Sequence, residues 1–356
     1  MTTIEKDWAE RVRAAAATKT PLCLRGGGTK DFYGRAPAGE VFDLRANRGV
    51  VAHEPTELVV TVRGGTPVAE LEAALAERGQ YLAFEPPHFG ADATVAGCVA
   101  AGLSGPRRSS MGAVRDFMLG VKLLDGRGEV LKFGGQVMKN VAGYDVSRLV
   151  AGSLGTLGIV LEVSLKVLPR PVAEATLRFE LDEADMLRRV NEWGGQPLPV
   201  SASLWHGGVL HVRLSGAEAA VRAATAKLGG EVLDAAAATA LWAAAREHTA
   251  APFALGADEV LWRVSLPSTA PALDLPGRQV VEWGGALRWL ASAGDAAQIR
   301  ARAAQLGGHA TAFRGGDRSG EVFQPLSAPL ATIQRRLKQS FDPAGIFNPG
   351  RLYPEF

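Results

Sequence analysis

The run Arg25-Gly-Gly-Gly-Thr-Lys30 carries the sharpest chemical signal in the chain. Three successive glycines let backbone N–H groups converge on one point and form a concave anion site, to which Arg25, Thr29 and Lys30 add charge or donors. A pyrophosphate suits such a site. The run is neither a Walker loop nor a GxGxxG fingerprint, so ATPase and NAD readings lack support, and a flexible turn is the competing reading of this loop by itself. A second stretch, Thr94-Val-Ala-Gly-Cys-Val-Ala-Ala-Gly-Leu-Ser-Gly-Pro106, is too rich in small residues for bulky core. It suits close approach of backbone to a flat ligand, or tight packing of a helix on a sheet. A third, Gly152-Ser-Leu-Gly-Thr-Leu-Gly158, opens a strand and would alone be a turn.

Periodicity gives the elements that must position these loops. Residues 4–17 read as an amphipathic helix with Ile4, Trp8 and Val12 on one face, and residues 21–25 as a short strand feeding the glycines. Residues 57–63 form a β-branched strand. Residues 67–78 form a helix with proline in its first turn, apolar Val68, Leu71 and Leu75, and Gly79 past its end. Residues 117–124 and 129–133 flank Asp125-Gly-Arg-Gly128, whose Asp-Gly pair favours a tight hairpin. The strand at residues 159–168 ends at Pro169 and Pro171, where a domain boundary is expected. Beyond it, strands (209–214, 260–266) alternate with helices (182–193, 217–228, 235–248), which reads as a separate α+β domain. The aperiodic Pro343-Ala-Gly-Ile-Phe-Asn-Pro-Gly-Arg-Leu-Tyr353 is expected to be an ordered strap.

Bulk properties narrow the function. The 356 residues suit two domains or one split domain. The net charge of +2 comes from 39 basic and 37 acidic residues that are interspersed, which argues against nucleic acid or another polyanionic partner. Cys23 and Cys98 alone supply no disulfide framework, metal site or iron–sulfur ligand set, so any cluster must belong to another chain. No apolar run reaches the roughly 18 residues of a spanning helix, and Glu5, Lys6, Asp7, Glu10 and Arg11 interrupt any secretory signal. A cytoplasmic location is expected.

Longer motifs join the three loops: Glu85-Pro-Pro-His-Phe-Gly90, Ser104-Gly-Pro-Arg-Arg108, Val114-Arg-Asp-Phe117, Phe133-Gly-Gly-Gln-Val-Met-Lys-Asn-Val-Ala-Gly-Tyr-Asp145, Gly155-Thr-Leu-Gly158, Trp283-Gly-Gly-Ala-Leu-Arg-Trp289, Gly307-Gly-His-Ala310 and Phe347-Asn-Pro-Gly-Arg351. On these the chain closely resembles, over nearly its whole length, the FAD-binding subunits of bacterial glycolate oxidase (glycolate dehydrogenase), in the vanillyl-alcohol-oxidase-like flavoprotein superfamily. The resemblance implies an α+β fold: a PCMH-type FAD-binding domain of two α+β subdomains at residues 1–170 and an α+β cap domain with antiparallel sheet at 171–325. Residues 326–356 would return to the FAD-binding domain. By position, Arg25, Gly26, Gly27, Gly28, Thr29 and Lys30 resemble the pyrophosphate loop. Pro86 and Pro87 would lie by the flavin ring, Thr94, Gly97 and Cys98 would touch ring and pyrophosphate, and Gly158 and Ile159 would contact the adenine half. Gly112 falls where the family has a glycine before its Arg-Asp pair, here Arg115-Asp116, which is read as an internal ion pair. Many relatives tether FAD through a histidine that here is Thr29, so the flavin is expected to be non-covalent, with His53, His88 and Cys98 as packing residues.

Oxidation of a 2-hydroxy acid needs a cation for the carboxylate, a base for the hydroxyl proton and a flavin to take the hydride. His309 is a candidate base, and Arg288, Arg314 or Arg318 a candidate clamp. The competing reading is a cap histidine paired with a carbonyl, and surface arginines. Related flavin subunits carry a late His-rich Gly-Asp-Gly-Asn motif, where this chain has Gly315-Gly-Asp-Arg318. The resemblance therefore implies a heteromeric complex with a second FAD-containing subunit and an iron–sulfur subunit, held at the inner face of the cytoplasmic membrane through those partners. Within it, this chain either takes hydride from glycolate or relays its electrons. A scaffold with a vestigial flavin site is the alternative.

Overall fold

The helix expected near the start forms over Thr3–Thr18. Thr2 and Glu5 cap it reciprocally, each side chain accepting the other's backbone N–H (3.3 and 2.9 Å). Trp8, Ala9, Val12 and Ala15 bury against Phe42, Leu124, Ile159 and Phe347. The computed structural model describes residues 1–135 and 145–356; residues 136–144, the middle of the motif that begins at Phe133, lie outside the described residues.

The glycine run leaves the strand Leu22–Arg25, which pairs in parallel with Glu40–Asp43. Beside this pair stands an antiparallel five-stranded sheet in the order Val50–Glu54, Val59–Arg63, Ile159–Lys166, Met118–Leu124, Val130–Gly134. The helices Val68–Ala76 and Val95–Ala101 share its core with Val62, Val121, Leu123 and Val163. The expected hairpin closes where Asp125 Oδ1 accepts the N–H groups of Arg127 and Glu129, each at 2.9 Å. The strand expected from Glu57 starts two residues later, because Leu58 turns the chain at φ 56.

The rest of the chain builds an antiparallel eight-stranded sheet in the order Glu231–Val232, Ala173–Glu180, Val209–Gly216, Val200–His206, Arg278–Glu282, Leu287–Ser292, Val260–Ser265, His309–Arg314. Its outer face buries Leu210, Val212, Val264 and Leu290 beneath the helices Glu183–Gly194, Glu218–Leu228 and Ala296–Gln305. Its inner face, with Leu204, Val280, Trp289 and Phe313, packs on Trp242 and Ala245 of the helix Ala235–Glu247 and on Tyr33, Ala101, Leu103 and Leu154 of the N-terminal half. Successive strand residues point to opposite faces, so the register decides which side chains look toward the glycine loops.

The C-terminal helix Ala328–Phe341 leads into the strap. Buried Lys338 donates to Asp342 (2.6 Å), Thr156 O (2.8 Å) and Phe347 O (2.7 Å). Leu22 N–H donates to Ile346 O, and Asn348 joins two loops by accepting from Leu24 N–H (2.7 Å) and donating to Leu154 O (2.6 Å).

Candidate functional site

Among the described residues, the five backbone N–H groups of residues 26–30 donate to no protein acceptor; the loop closes through Asp31 N–H to Gly28 O and Tyr33 N–H to Lys30 O instead. The loop is held from behind. A Cβ on Gly26 would lie 2.3 Å from Thr94 Oγ1, and one on Gly27 would lie 1.7 Å from Asp92 O. Thr94 in turn caps Val95–Ala101, its hydroxyl accepting from Gly97 N–H at 3.3 Å. The result is an open cleft lined by residues 25–30, Thr94, Gly97, Leu154, Asn348 and Arg351.

The charges on this loop are unequal. Arg25 is neutralised by Asp31 at 2.7 Å. Lys30 has no carboxylate within ion-pairing distance among the described residues; its Nζ donates to His88 O at 3.1 Å, and burial pushes its pKa down. Free N–H groups around an uncompensated ammonium fit a diphosphate. Burial raises the Cys98 thiol to about 11, which makes it a poor nucleophile.

Three further positions expected at the flavin take the following places. The Ile159 side chain is buried in the core under the first helix, and Gly158, at φ 149, packs against Leu124 O. Gly112 ends the short helix Arg108–Met111 at φ 105, with Asp116 alongside. None of the three lines either cleft. The Arg115–Asp116 pair is not internal: both side chains are exposed and 3.8 Å apart, and Asp116 instead accepts Ala113 N–H at 2.8 Å.

Pro87 borders a second, narrow cleft between residues 103–106 and the inner face of the eight-stranded sheet, together with Phe89, His248, Arg263, Glu282, Trp289 and Phe313. The loop carrying Pro86 and Pro87 is tied to the sheet side at both ends. Glu85 pairs with Arg107 (3.0 Å) and Arg213 (2.9 Å), and the Glu247 carboxylate accepts the N–H groups of His88 (3.1 Å) and Phe89 (2.7 Å). Arg263 stands opposite Trp289 in register, 5.4 Å from the Trp283 ring centroid, without an ion pair among the described residues. Glu282 is buried; burial, opposed by the Trp289 hydrogen bond at 2.6 Å, lifts its pKa to about 7. His248 ends its helix at φ 50 and stacks on Phe253 at 4.2 Å; burial holds its pKa well below the usual value, so the ring is neutral.

The three expected catalytic residues fare differently. Arg314 reaches the inner side because a bulge pairs it with Leu261; its guanidinium lies over Phe32 (4.6 Å) and Phe89 (5.3 Å), without an ion pair among the described residues. His309 starts the edge strand and is exposed. Arg288 needs correction as a clamp: as the neighbour of inward-facing Trp289 it faces outward, fully buried, with its guanidinium on the carbonyls of Ala270, Pro271 and Gly285. Arg263, Glu282 and His248 went unread in the sequence. Alternation from inward-facing Leu261 and Val280 would have flagged the first two, whereas His248 looks like an ordinary helix end.

Residues 2–134 match the family model of the FAD binding domain, and residues 291–352 match that of the C-terminal domain of FAD linked oxidases. Glycolate oxidase subunit GlcE of Escherichia coli (strain K12) is 50% identical over 346 residues, covering 97% of this chain and 96% of that protein. Glycolate oxidase subunit GlcD of Bacillus subtilis (strain 168) is 30% identical over 161 residues, 45% of this chain and 34% of that one. Among solved structures, an alkyldihydroxyacetonephosphate synthase shares the fold at TM-score 0.66 and 14% identity, over 96% of this chain and 73% of its own. No helix of the described residues is long and apolar enough to cross a membrane. The expected PCMH-type FAD-binding fold with its antiparallel cap is thereby shown, and the chain belongs to the FAD-linked oxidoreductases, in the family of glycolate oxidase flavin subunits.

Proposed function

We propose that residues 1–170 and 326–356 hold FAD non-covalently, that residues 171–325 cap it, and that this chain's flavin is reduced directly by glycolate or a similar 2-hydroxy acid. The N–H groups of residues 26–30 and the Lys30 ammonium would hold the pyrophosphate, with the ring directed toward Pro86 and Pro87. Bound FAD supplies the two-electron acceptor. Non-covalent binding is supported by Thr29, which has no ring nitrogen, by His53 bonded to Gln80 at 2.8 Å, and by the buried Cys98 thiol. Electrons would leave through an iron–sulfur subunit of a complex that also contains a second flavin subunit.

The observation that carries direct reduction, rather than relay, is a pair of arginines without ion pairs among the described residues, Arg263 and Arg314, on the inner side of the sheet near Pro87 and Phe89. A relay flavin needs no carboxylate-binding cations beside its ring. The test is anaerobic mixing of the purified yellow chain with glycolate. Bleaching of the flavin supports the reading; a flavin that stays oxidised alone but is reduced within the assembled complex refutes it. Acid precipitation that leaves the yellow colour in the protein pellet refutes non-covalent binding.

A further inference from the structure

We infer that Glu282 is the proton acceptor, and Arg263 the carboxylate anchor, of a pocket for short-chain 2-hydroxy acids; the assignment rests on the reading that this flavin is reduced directly. Glu282 closes the strand Arg278–Glu282 on the inner face and is 3% exposed. Trp289 Nε1 donates to its Oε2 at 2.6 Å, which orients the carboxyl group and leaves Oε1 without a protein donor among the described residues. Arg263 lines the same cleft, with no carboxylate within 4 Å among the described residues. A partly buried guanidinium without a counter-ion is left short of hydrogen bonds, and a ligand carboxylate supplies two acceptors matched to its planar fork.

The walls set the size of the ligand. Trp289 packs against Phe313 (4.8 Å between centroids) and His248 (4.4 Å), and His248 stacks on Phe253, so these rings buttress one another. In a cleft so narrowly walled, a hydrogen or methyl at C2 is accommodated better than a long chain. The rival base in the cleft is His248, whose burial leaves it too weakly basic to retain a proton at neutral pH. Glu282 titrates near 7, where a general base is most effective. The charged groups acting on Glu282 are Glu85, which raises its pKa, and Arg263 and Arg213, which lower it. Arg246, paired with Glu247, borders the same cleft.

Oxidation to the 2-oxo acid balances with these parts. Glu282 would take the hydroxyl proton, and bound FAD would supply the acceptor for the C2 hydrogen with its electron pair as the C–O bond becomes C=O. Arg263 holds the carboxylate throughout.

Oxalate, which has no C2 hydrogen to lose, serves as the binding probe, measured by calorimetry on the FAD-loaded chain and on the chain stripped of FAD. Arg263→Gln is expected to weaken oxalate binding at least tenfold at unchanged FAD content. Glu282→Gln keeps the acceptor for Trp289 and is expected to abolish the loss of oxalate affinity as pH rises through about 7. It should also slow glycolate-driven flavin reduction by roughly 10²- to 10⁴-fold and flatten its pH profile, with partial recovery in Glu282→Asp. Oxalate affinity unchanged in Arg263→Gln, or a native rate and pH profile in Glu282→Gln, overturns the assignment. If the native flavin is not reduced by glycolate yet oxalate binding still depends on Arg263 and on titration of Glu282, direct reduction and the role of Glu282 as proton acceptor both fall, and only the carboxylate site at Arg263 stands.

Discussion

Replacing Asn348 with alanine tests whether the C-terminal strap maintains the flavin loops. Its side chain is 7% exposed and satisfies two backbone groups far apart in sequence, Leu24 N–H at 2.7 Å and Leu154 O at 2.6 Å. Alanine would leave both unpaired, at about 1–3 kcal/mol each. Asn348 also sits at φ 41, where alanine costs about a further 1–2 kcal/mol. The combined loss, about 3–8 kcal/mol, is comparable with the roughly 5–15 kcal/mol that holds a folded protein together. It falls on the strand that feeds the glycine run and on the loop at Leu154, both in the cleft at the glycine run. FAD affinity should therefore drop at least tenfold, since each ~1.4 kcal/mol of loop opening is a factor of ten. Asn348→Gly separates the causes: it loses the same hydrogen bonds but tolerates positive φ, and should recover about 1 kcal/mol. The assays are FAD titration by flavin fluorescence and thermal melts with and without FAD. Native affinity and melting in Asn348→Ala would refute the strap's role.

Gly27→Ala should purify without yellow colour, because its Cβ cannot lie 1.7 Å from Asp92 O without displacing the loop; a normal FAD-to-protein ratio in the absorption spectrum contradicts this. Arg288→Met should lower the melting temperature, by removing donors from the carbonyls of Ala270 and Pro271, while leaving FAD content and the KM for glycolate unchanged; a raised KM at native stability would restore Arg288 as a substrate ligand. Glu282→Gln should stabilise the protein at alkaline pH. The folded-state pKa of about 7 exceeds the ordinary 4.5, so the native state keeps a proton that the unfolded chain loses, and stability falls as pH rises between those values. That difference is worth about 3 kcal/mol above pH 7 and vanishes below 4.5; equal melting curves for the variant and the native chain at pH 8 would disprove it.

The first helix, the Asp125 hairpin and the helices of the second half were legible because each is specified locally, by apolar spacing, a cap or a turn pair. Boundaries failed where one residue departed from the pattern, as at Leu58. The glycine loops were legible as an anion site, although the reason Gly27 must be glycine is its closeness to Asp92, which spacing does not reveal. Arg25 reads as free charge in the sequence, whereas Asp31, six residues on, folds back to pair with it.

By itself, the sequence determined the family, the flavin and the composition of the loops that bind it, since these depend on contiguous motifs and on backbone freedom at glycines. Only the tertiary structure decided which side chains share the pocket. Arg288 and Trp289 are neighbours in sequence but point to opposite faces of the sheet, and a bulge brings Arg314 to the inner side. Arg263, Glu282 and His248 come from three separate elements and meet only when that sheet closes on Leu103 and Pro87. Pairing register and burial are long-range properties. They also set the charge states, since desolvation holds His248 neutral and lifts Glu282 to about 7.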